Sequence, residues 1–252
     1  MIAPKQILNI AAYAGNIILS NGGEIYRTED TMNRICHAYG IKYVDSLVTP
    51  TGIFISIDDG QGSSETIVKR IHKRRINLTK ISQVNSFSRN LQAKTLTYQE
   101  AMAELRAINE GKPKTKLKFG LLFISFGVSM NVILMRASYI NIIPSILASL
   151  GAQIVIKKMG FLGDINFIPE IVAGFIGGII SLFCYKHGLG DNLGIITVSA
   201  ILPFVPGVAL TNSIRDAISG DLISATSRGI EATLIAISLA VGAALSLGVL
   251  YR

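Results

Sequence analysis

Residues 230–250 read IEATLIAISLAVGAALSLGVL, a run in which Glu231 is the single charged residue. A helix needs about 20 apolar residues to cross roughly 30 Å of hydrocarbon, and this run meets that requirement. Further apolar runs of comparable length precede it along the second half of the chain. The pattern predicts an α-helical membrane protein with about five transmembrane helices, at residues 117–135, 140–156, 167–185, 193–210 and 230–250.

The first half of the chain has a different character. Although 50% of the whole sequence is hydrophobic, residues 5–118 mix polar and apolar positions. Helical spacing runs up to Gly22 and Gly23, which favour a helix end, and the β-branched residues 53–57 predict a strand. We therefore expect an N-terminal cytoplasmic α+β domain with a small antiparallel sheet at residues 1–116, followed by a transmembrane helical domain at residues 117–252.

The formal net charge of +8 concentrates in residues 69–75 and residues 112–118. Because the second cluster adjoins the first apolar run, it indicates a positive-inside anchor that faces anionic lipid headgroups of the bilayer. This places the N-terminus in the cytoplasm. Nucleic-acid binding is not expected, since the basic residues come with no aromatic-interleaved motif.

Catalytic and metal-binding patterns are absent from the sequence. There is no GxSxG, no HExxH, no phosphate-binding glycine loop and no paired cysteine motif. His37, His72 and His187 are scattered over both predicted domains, so they are not expected to form a metal site. We expect no enzyme activity, no cofactor and no metal.

Residues 202–232 read LPFVPGVALTNSIRDAISGDLISATSRGIEA, which combines an interrupted helix with dense polar residues. Pro203 and Pro206 each remove a backbone donor, which leaves carbonyl groups available to a ligand or to another helix. Polar groups at membrane depth usually mark a transport pathway. The stretch is therefore the leading candidate for a functional site.

The charged residues of this stretch have two interpretations. The guanidinium of Arg215 suits a carboxylate, and Asp216 or Glu231 could hold an ammonium group or carry a proton. The alternative is an ordinary cytoplasmic loop at residues 215–221 in which Asp216 pairs with Arg228. Both remain open at the level of sequence.

Other candidate features have structural alternatives of their own. Residues 22–29, GGEIYRTE, and the turn at residues 49–52, TPTG, could bind an anion or dock a partner. The alternative explanation is helix-start electrostatics and hairpin closure, and we favour it. Within residues 173–178, AGFIGG, the small residues predict close packing against another helix of the same bundle.

Three segments carry a family resemblance. SNGGEIYRTEDTMNRI at residues 20–35, TPTGIFISI at 49–57 and PGVALTNSIRDAISGDLISATSRGIEA at 206–232 resemble the threonine/serine exporter family of bacterial membrane proteins. The resemblance implies export of small amino acids across the cytoplasmic membrane, driven by proton motive force. Related split proteins are assigned to export of dicarboxylates such as succinate, which is the alternative substrate class.

The resemblance also implies a partner. Larger family members join this kind of domain to a second membrane domain, whereas this sequence ends at Arg252 and resembles the larger subunit of a split, two-component exporter. A second small membrane subunit is therefore expected to complete the path, and the chain alone to be inactive or a homo-oligomer. A membrane-anchored enzyme and a membrane-anchored scaffold are the alternatives of another class.

Matching positions to the family motif nominates a set of site residues. In the predicted membrane domain they are expected to serve substrate binding and transport, and in the predicted soluble domain they form a shared motif. The nominated residues are Pro206, Gly207, Asn212, Arg215, Asp216, Asp221, Arg228 and Glu231, with Glu24, Arg27 and Thr51.

Overall fold

The structure is a computed structural model that describes residues 2–58, 64–72, 75–111, 117–158 and 167–250. It divides into two compact units. The first unit comprises Met1–Pro113 and Val208–Gly229, and the second comprises Lys114–Gly207 and Ile230–Arg252. The grouping of Val208–Gly229 with the N-terminal residues was not predicted from the sequence. That the boundary between cytoplasm and membrane falls after residue 116 stays a prediction.

Four helices build most of the first unit's core. Leu8 and Ile18 of the first helix are fully buried, and they pack in one cluster with Met32, Phe87 and Leu105 from the other helices. A helix that is apolar on most faces belongs inside a core, which is where the first helix lies. The helices are α1 (Pro4–Ser20), α2 (Ile25–Ala38), α3 (Leu78–Ala93) and α4 (Tyr98–Glu110).

A three-stranded antiparallel sheet completes this unit, with strands β1 (Tyr43–Thr49), β2 (Gly52–Asp58) and β3 (Ser64–Arg70) in the order β1-β2-β3. Alternate residues of β2, at Ile53, Ile55 and Ile57, face the core and are buried. This period of two is what a strand with one covered face requires. The predicted small sheet in the N-terminal region is confirmed.

The remaining helices are apolar, apart from the amphipathic α9. They are α5 (Leu117–Leu134), α6 (Ile142–Lys158), α7 (Ile168–Lys186), α8 (Leu193–Ile201), α9 (Gly207–Ile218) and α10 (Leu222–Leu250), with 3₁₀ turns at Tyr139–Asn141 and Leu202–Phe204. Most of α9 and the first two turns of α10 belong to the first unit, and the rest of this series belongs to the second.

Among the described residues, three helices are long and apolar enough to cross a membrane, at Tyr139–Lys158, Ile168–Lys186 and Leu222–Gly248. The predicted fourth span, residues 193–210, is not one helix: Leu193–Phe204 and Gly207–Ile218 are bent by 64°. The count rises to four when this pair is taken as one broken span. By length and apolarity, the structure therefore supports three or four spans rather than about five.

Two physical features explain the differences. Pro206 has no backbone N–H, so it cannot continue the hydrogen bonding of α8 and the chain turns at that point. The last helix begins at Leu222 rather than near residue 230, because the Asp221 side chain accepts the backbone N–H of Ser224 at 3.1 Å and caps its first turn. The first predicted span corresponds to a shorter apolar helix, described over Phe119–Leu134.

Within the second unit, α7 and α10 approach through glycine. A Cβ atom on Gly174 would lie 2.2 Å from the carbonyl oxygen of Leu239, and one on Gly242 would lie 2.0 Å from that of Ile171. No side chain fits either position, so the two backbones are in direct contact. The prediction that residues 173–178 pack against a helix of the same chain is confirmed.

Candidate functional site

The site is built around the loop between α1 and α2, formed by Asn21, Gly22, Gly23 and Glu24 and called loop 21–24 below. Gly22 has φ of +88°, a left-handed conformation that favours glycine. A Cβ on Gly23 would lie 2.2 Å from Cγ2 of Ile18, so a larger residue would clash there. Glycine is therefore favoured at Gly22 by the backbone conformation and at Gly23 by the lack of space, and the two residues form a tight turn between α1 and α2.

Side chains from α9 and α10 hold this loop through its carbonyl groups. Nδ2 of Asn212 donates to the Gly22 oxygen at 3.0 Å. Nη2 of Arg228 donates to the Gly23 oxygen at 2.8 Å, in a buried hydrogen bond between residues 205 positions apart in sequence. The family motif at residues 206–232 therefore contacts the family motif at residues 20–35.

Beneath the loop lies a buried ion pair. Asp216 is 1% exposed and Arg228 is 6% exposed, with Nε of Arg228 3.1 Å from Oδ2 of Asp216. The backbone N–H of Ile25, the first residue of α2, also interacts with the Asp216 carboxylate. The Asp216 carboxylate therefore lies near the start of α2, where the N-cap residue Glu24 is also acidic and where negative charge is favourable.

A second carboxylate, Glu24, lies between two arginines. Its Oε1 pairs with Nη1 of Arg215, and its Oε2 lies 3.1 Å from Nε of Arg27. The Glu24 side chain is 10% exposed, whereas those of Arg215 and Arg27 are 47% and 40% exposed. We call Glu24, Arg27, Arg215, Asp216 and Arg228 the arginine–carboxylate cluster.

The charges of the cluster alternate in sign. Its three guanidinium groups lie among two carboxylates, and the nearby Asp221 carboxylate adds a third negative charge that acts on Asp216. Taking charges out of water is costly unless each is paired, which accounts for the interleaved arrangement. The Arg27 and Arg215 side chains are on the exposed side, where they remain accessible to an anion.

A further carboxylate on α2 links this region to the sheet. Oε1 of Glu29 accepts the backbone N–H of Val48 at 3.0 Å. Burial raises the pKa of Glu29 above its ordinary value, the Val48 hydrogen bond opposes that rise, and the negative charge of Asp221 adds to it. Asp221 thus acts on this region both as the cap of α10 and through its charge.

Next to loop 21–24 is a pocket of about 260 Å³. The polar and charged residues of its lining are Glu24, Arg27, Ser82, Asn85 and Asn212. The remaining lining comprises the two loop glycines and the apolar residues Leu78, Ile81 and Val208. The pocket therefore combines both signs of charge, hydrogen-bonding groups and an apolar wall in a small volume.

The structure brings together seven of the residues nominated from sequence and leaves four outside. Glu24, Arg27, Asn212, Arg215, Asp216 and Arg228 lie around loop 21–24, with Asp221 at the edge. Thr51 lies in the turn between β1 and β2, Pro206 precedes α9, Gly207 opens it, and Glu231 follows on α10.

The structure tests the second interpretation of Asp216, that of a cytoplasmic loop with an Asp216–Arg228 pair. Its pairing with Arg228 is confirmed, but the expected loop at residues 215–221 is wrong, because α9 continues to Ile218. Sequence reasoning missed Ser82 and Asn85, which line the pocket from α3. Polar residues on the exposed face of an amphipathic helix carry no signal that distinguishes them from ordinary surface positions.

Outside this region, the described residues form a second pocket but no metal-binding group. A groove of about 880 Å³ lies between Ile2–Ile7, Ala38–Ile41 and Thr95–Thr97, and no charged side chain is found in its described lining. In the part of the chain that the structure describes, no group of three or more His, Cys, Asp or Glu side chains is arranged to hold a metal ion.

The apolar helices, one of them a broken pair, define a helical membrane protein. A family model described as "Putative threonine/serine exporter" matches residues 9–250. The match covers most of the sequence, so the chain belongs to the threonine/serine exporter family.

A curated relative agrees with this assignment. The chain is 26% identical over 251 residues to a protein of Corynebacterium glutamicum described as "Threonine/serine exporter". The alignment covers 96% of this chain and 50% of that protein, so the chain spans about half the length of its relative. No solved structure matches the chain.

Proposed function

We propose that this chain is a subunit of a secondary exporter that moves small carboxylate-bearing metabolites, of the threonine and serine type, out of the cell. Family membership and the description of the Corynebacterium relative support the transported class. Because the chain aligns with half of that relative, we propose that a second, small membrane subunit completes the path. Proton motive force is the proposed driving force.

The observation that carries this proposal is the break between α8 and α9. The two apolar helices meet at 64°, and Gly207 donates its N–H to the Val205 oxygen at 2.8 Å in a tight turn around Pro206. Interrupted helices in transporters leave backbone groups free for a substrate or a coupling ion. Pro206, Gly207 and Glu231 are accordingly the proposed contributors to the pathway.

The residues of the arginine–carboxylate cluster have a different proposed part. Arg215, Asn212 and Arg228 contact loop 21–24, and Asp216 pairs with Arg228. These contacts support a role in fixing the position of α9, the second half of the broken pair. A direct substrate contact by Arg215, whose side chain is 47% exposed, remains part of the proposal.

We also propose a placement in the bacterial cytoplasmic membrane with the N-terminus in the cytoplasm. The basic residues at 112–118 and the pair Lys157–Lys158 support this orientation, because cytoplasmic flanks carry the excess of lysine and arginine. In this placement α5 also crosses the membrane and brings the number of spans to five, since its 18 residues extend about 27 Å. Reporter fusions at residue 160 and after residue 252 test the two sides.

Efflux from loaded cells tests the function. Cells loaded with serine, threonine or succinate are compared when they express this chain, its small partner, or both. If only the pair lowers retained serine or threonine, the proposal stands. If only succinate responds, the dicarboxylate alternative replaces the amino-acid substrate, and if nothing moves, a scaffold role replaces export.

A matched pair of proline variants tests the broken helix. Pro206→Ala restores a backbone donor at the break, so we expect α8 and α9 to straighten and export to fall at least tenfold. Pro169→Ala is the control, because Pro169 lies in the first turn of the unbroken helix α7, where proline is tolerated. Equal export by the two variants would remove the break from the mechanism.

A further inference from the structure

The pocket beside loop 21–24 has the dimensions of a site for a small metabolite. Its volume of about 260 Å³ lies just below the range of about 300–1,000 Å³ that is usual for larger ligands. It lies entirely within the first unit, formed by the end of loop 21–24, the first turn of α2, the start of α3 and the start of α9. Three helices and a loop thus converge on one small space.

Arg27 is the residue that defines the ligand chemistry. Its Nε pairs with Glu24 at 3.1 Å, which is its one interaction with the described residues, so the two Nη groups remain available. A guanidinium fork binds a carboxylate through two parallel hydrogen bonds. Because the Arg27 side chain is 40% exposed, its guanidinium group is accessible to an anion from solvent.

The other polar groups complement the rest of a small metabolite. Asn85 lines the pocket, and its Oδ1 accepts a hydrogen bond from the Thr31 hydroxyl at 3.1 Å, so its NH₂ group is the part available to donate to a ligand. Ser82 contributes a hydroxyl, and the Glu24 carboxylate offers a counter-charge for an ammonium group. Leu78, Ile81 and Val208 provide a short apolar wall.

We propose that this pocket binds a small carboxylate-bearing metabolite, whose carboxylate is held by Arg27. An α-amino acid places its ammonium group toward Glu24, whereas a dicarboxylate places its second carboxylate near Asn85 and Ser82. Val208 and Asn212 of α9 line the pocket together with Glu24 and Arg27. A ligand bound there therefore contacts both α9 and the start of α2. The inference deepens the proposed function by assigning a binding site in the first unit.

Equilibrium binding to the full chain, reconstituted in lipid nanodiscs, tests the site without transport. Radiolabelled serine, threonine and succinate are the probes. We expect at least one probe to bind the wild-type chain, and Arg27→Gln to weaken its affinity at least tenfold. Arg34→Gln is the matched control, because Arg34 lies on the same helix in an exposed pair with Asp30, away from the pocket lining, and should leave affinity unchanged.

A second variant tests the charge argument and guards against misfolding of the first. Asn85→Asp keeps the acceptor for Thr31 and adds a negative charge at the pocket, so succinate binding should fall more than serine binding. The proposal is overturned if wild-type protein binds none of the three probes, or if Arg27→Gln binds like Arg34→Gln. Binding that persists in a protein without export would overturn only the proposed function.

Discussion

The contact between loop 21–24 and α9, in the first unit, and the contact between α7 and α10, in the second, use opposite chemistry. The first depends on charged and polar groups, because Arg215 of α9 pairs with Glu24 and Asn212 of α9 donates to Gly22, beside the buried pair of Asp216 and Arg228. The second depends on the absence of side chains, because a Cβ atom on Gly242 would lie only 2.0 Å from the Ile171 carbonyl oxygen of α7. A buried charge pair requires both members, whereas a glycine contact requires only that nothing be added.

This difference determines how each contact fails. Removing one member of a buried pair leaves a charge without its partner in a site shielded from water. Adding a methyl group to the glycine contact forces two helices apart, and the cost depends on how far they relax. The following variants distinguish these modes, from the largest expected effect to the smallest.

Asp216→Ala should have the largest effect. It removes the carboxylate that faces Arg228 and the negative charge at the start of α2, at an expected cost of about 3 kcal/mol in the free energy of unfolding. Unfolding in detergent micelles measures this cost. Asp30→Ala is the control, because the Asp30 side chain is 60% exposed and its pair with Arg34 should contribute under about 1 kcal/mol.

The double variant Asp216→Leu with Arg228→Met sharpens the same point. Replacing a buried ion pair by apolar residues of similar volume is often neutral, so we expect most of the lost stability to return. If the double variant is as unstable as Asp216→Ala, hydrogen bonds of Arg228, such as that to the Gly23 oxygen, contribute more than the pairing itself.

Gly242→Ala should have the next largest effect. The added methyl meets the backbone of α7 rather than a movable side chain, and overpacking of this kind costs about 1–3 kcal/mol. Gly248→Ala on the same helix meets no atom within 4 Å and should be neutral. Thermal unfolding of the two variants side by side provides the measurement, and a neutral Gly242→Ala would contradict the close contact.

Arg215→Ala separates stability from function. Because the Arg215 side chain is 47% exposed, losing its pair with Glu24 should cost under about 1 kcal/mol. If Arg215 also contacts substrate, export should nevertheless be abolished at normal membrane abundance. Wild-type export in this variant would remove Arg215 from the pathway and leave it a structural role.

Glu29→Gln should have the smallest effect, and its sign depends on pH. Burial raises the pKa of Glu29, so folding favours its protonated form and stability from this group declines as pH rises above its unfolded value of about 4.3. Glutamine keeps an acceptor for Val48 without the charge. We expect the variant to gain stability relative to wild type between about pH 4 and pH 7, and a constant difference would contradict the assignment.

Much of the fold follows from local sequence. Gly22 and Gly23 end α1 as predicted, and alternation at residues 53–57 predicts β2, because both signals depend on neighbouring positions alone. The small residues at 173–178 identified the close helix contact for the same reason. The span count differed because a proline interruption breaks the predicted fourth span and the first apolar helix is shorter than predicted, and neither feature is visible in mean hydropathy.

The candidate site is where local reasoning was insufficient. Glu24 and Arg27 were assigned to one predicted domain and Asn212 to Arg228 to the other, yet they meet around one loop. Charge pairing between residues about two hundred positions apart leaves no periodic pattern in either segment. Ser82 and Asn85 could not be selected either, since pocket lining depends on what packs opposite.

By itself, the sequence determined that this is a helical membrane protein of the threonine/serine exporter family with a small N-terminal sheet. These properties depend on apolar run length, short-range periodicity and motif identity. Only the tertiary structure decided that residues 208–229 belong with the N-terminal unit and that Asp216 and Arg228 are buried together as an ion pair. The physical reason is that a charge becomes buried, and therefore specific, only when a distant segment excludes water from it.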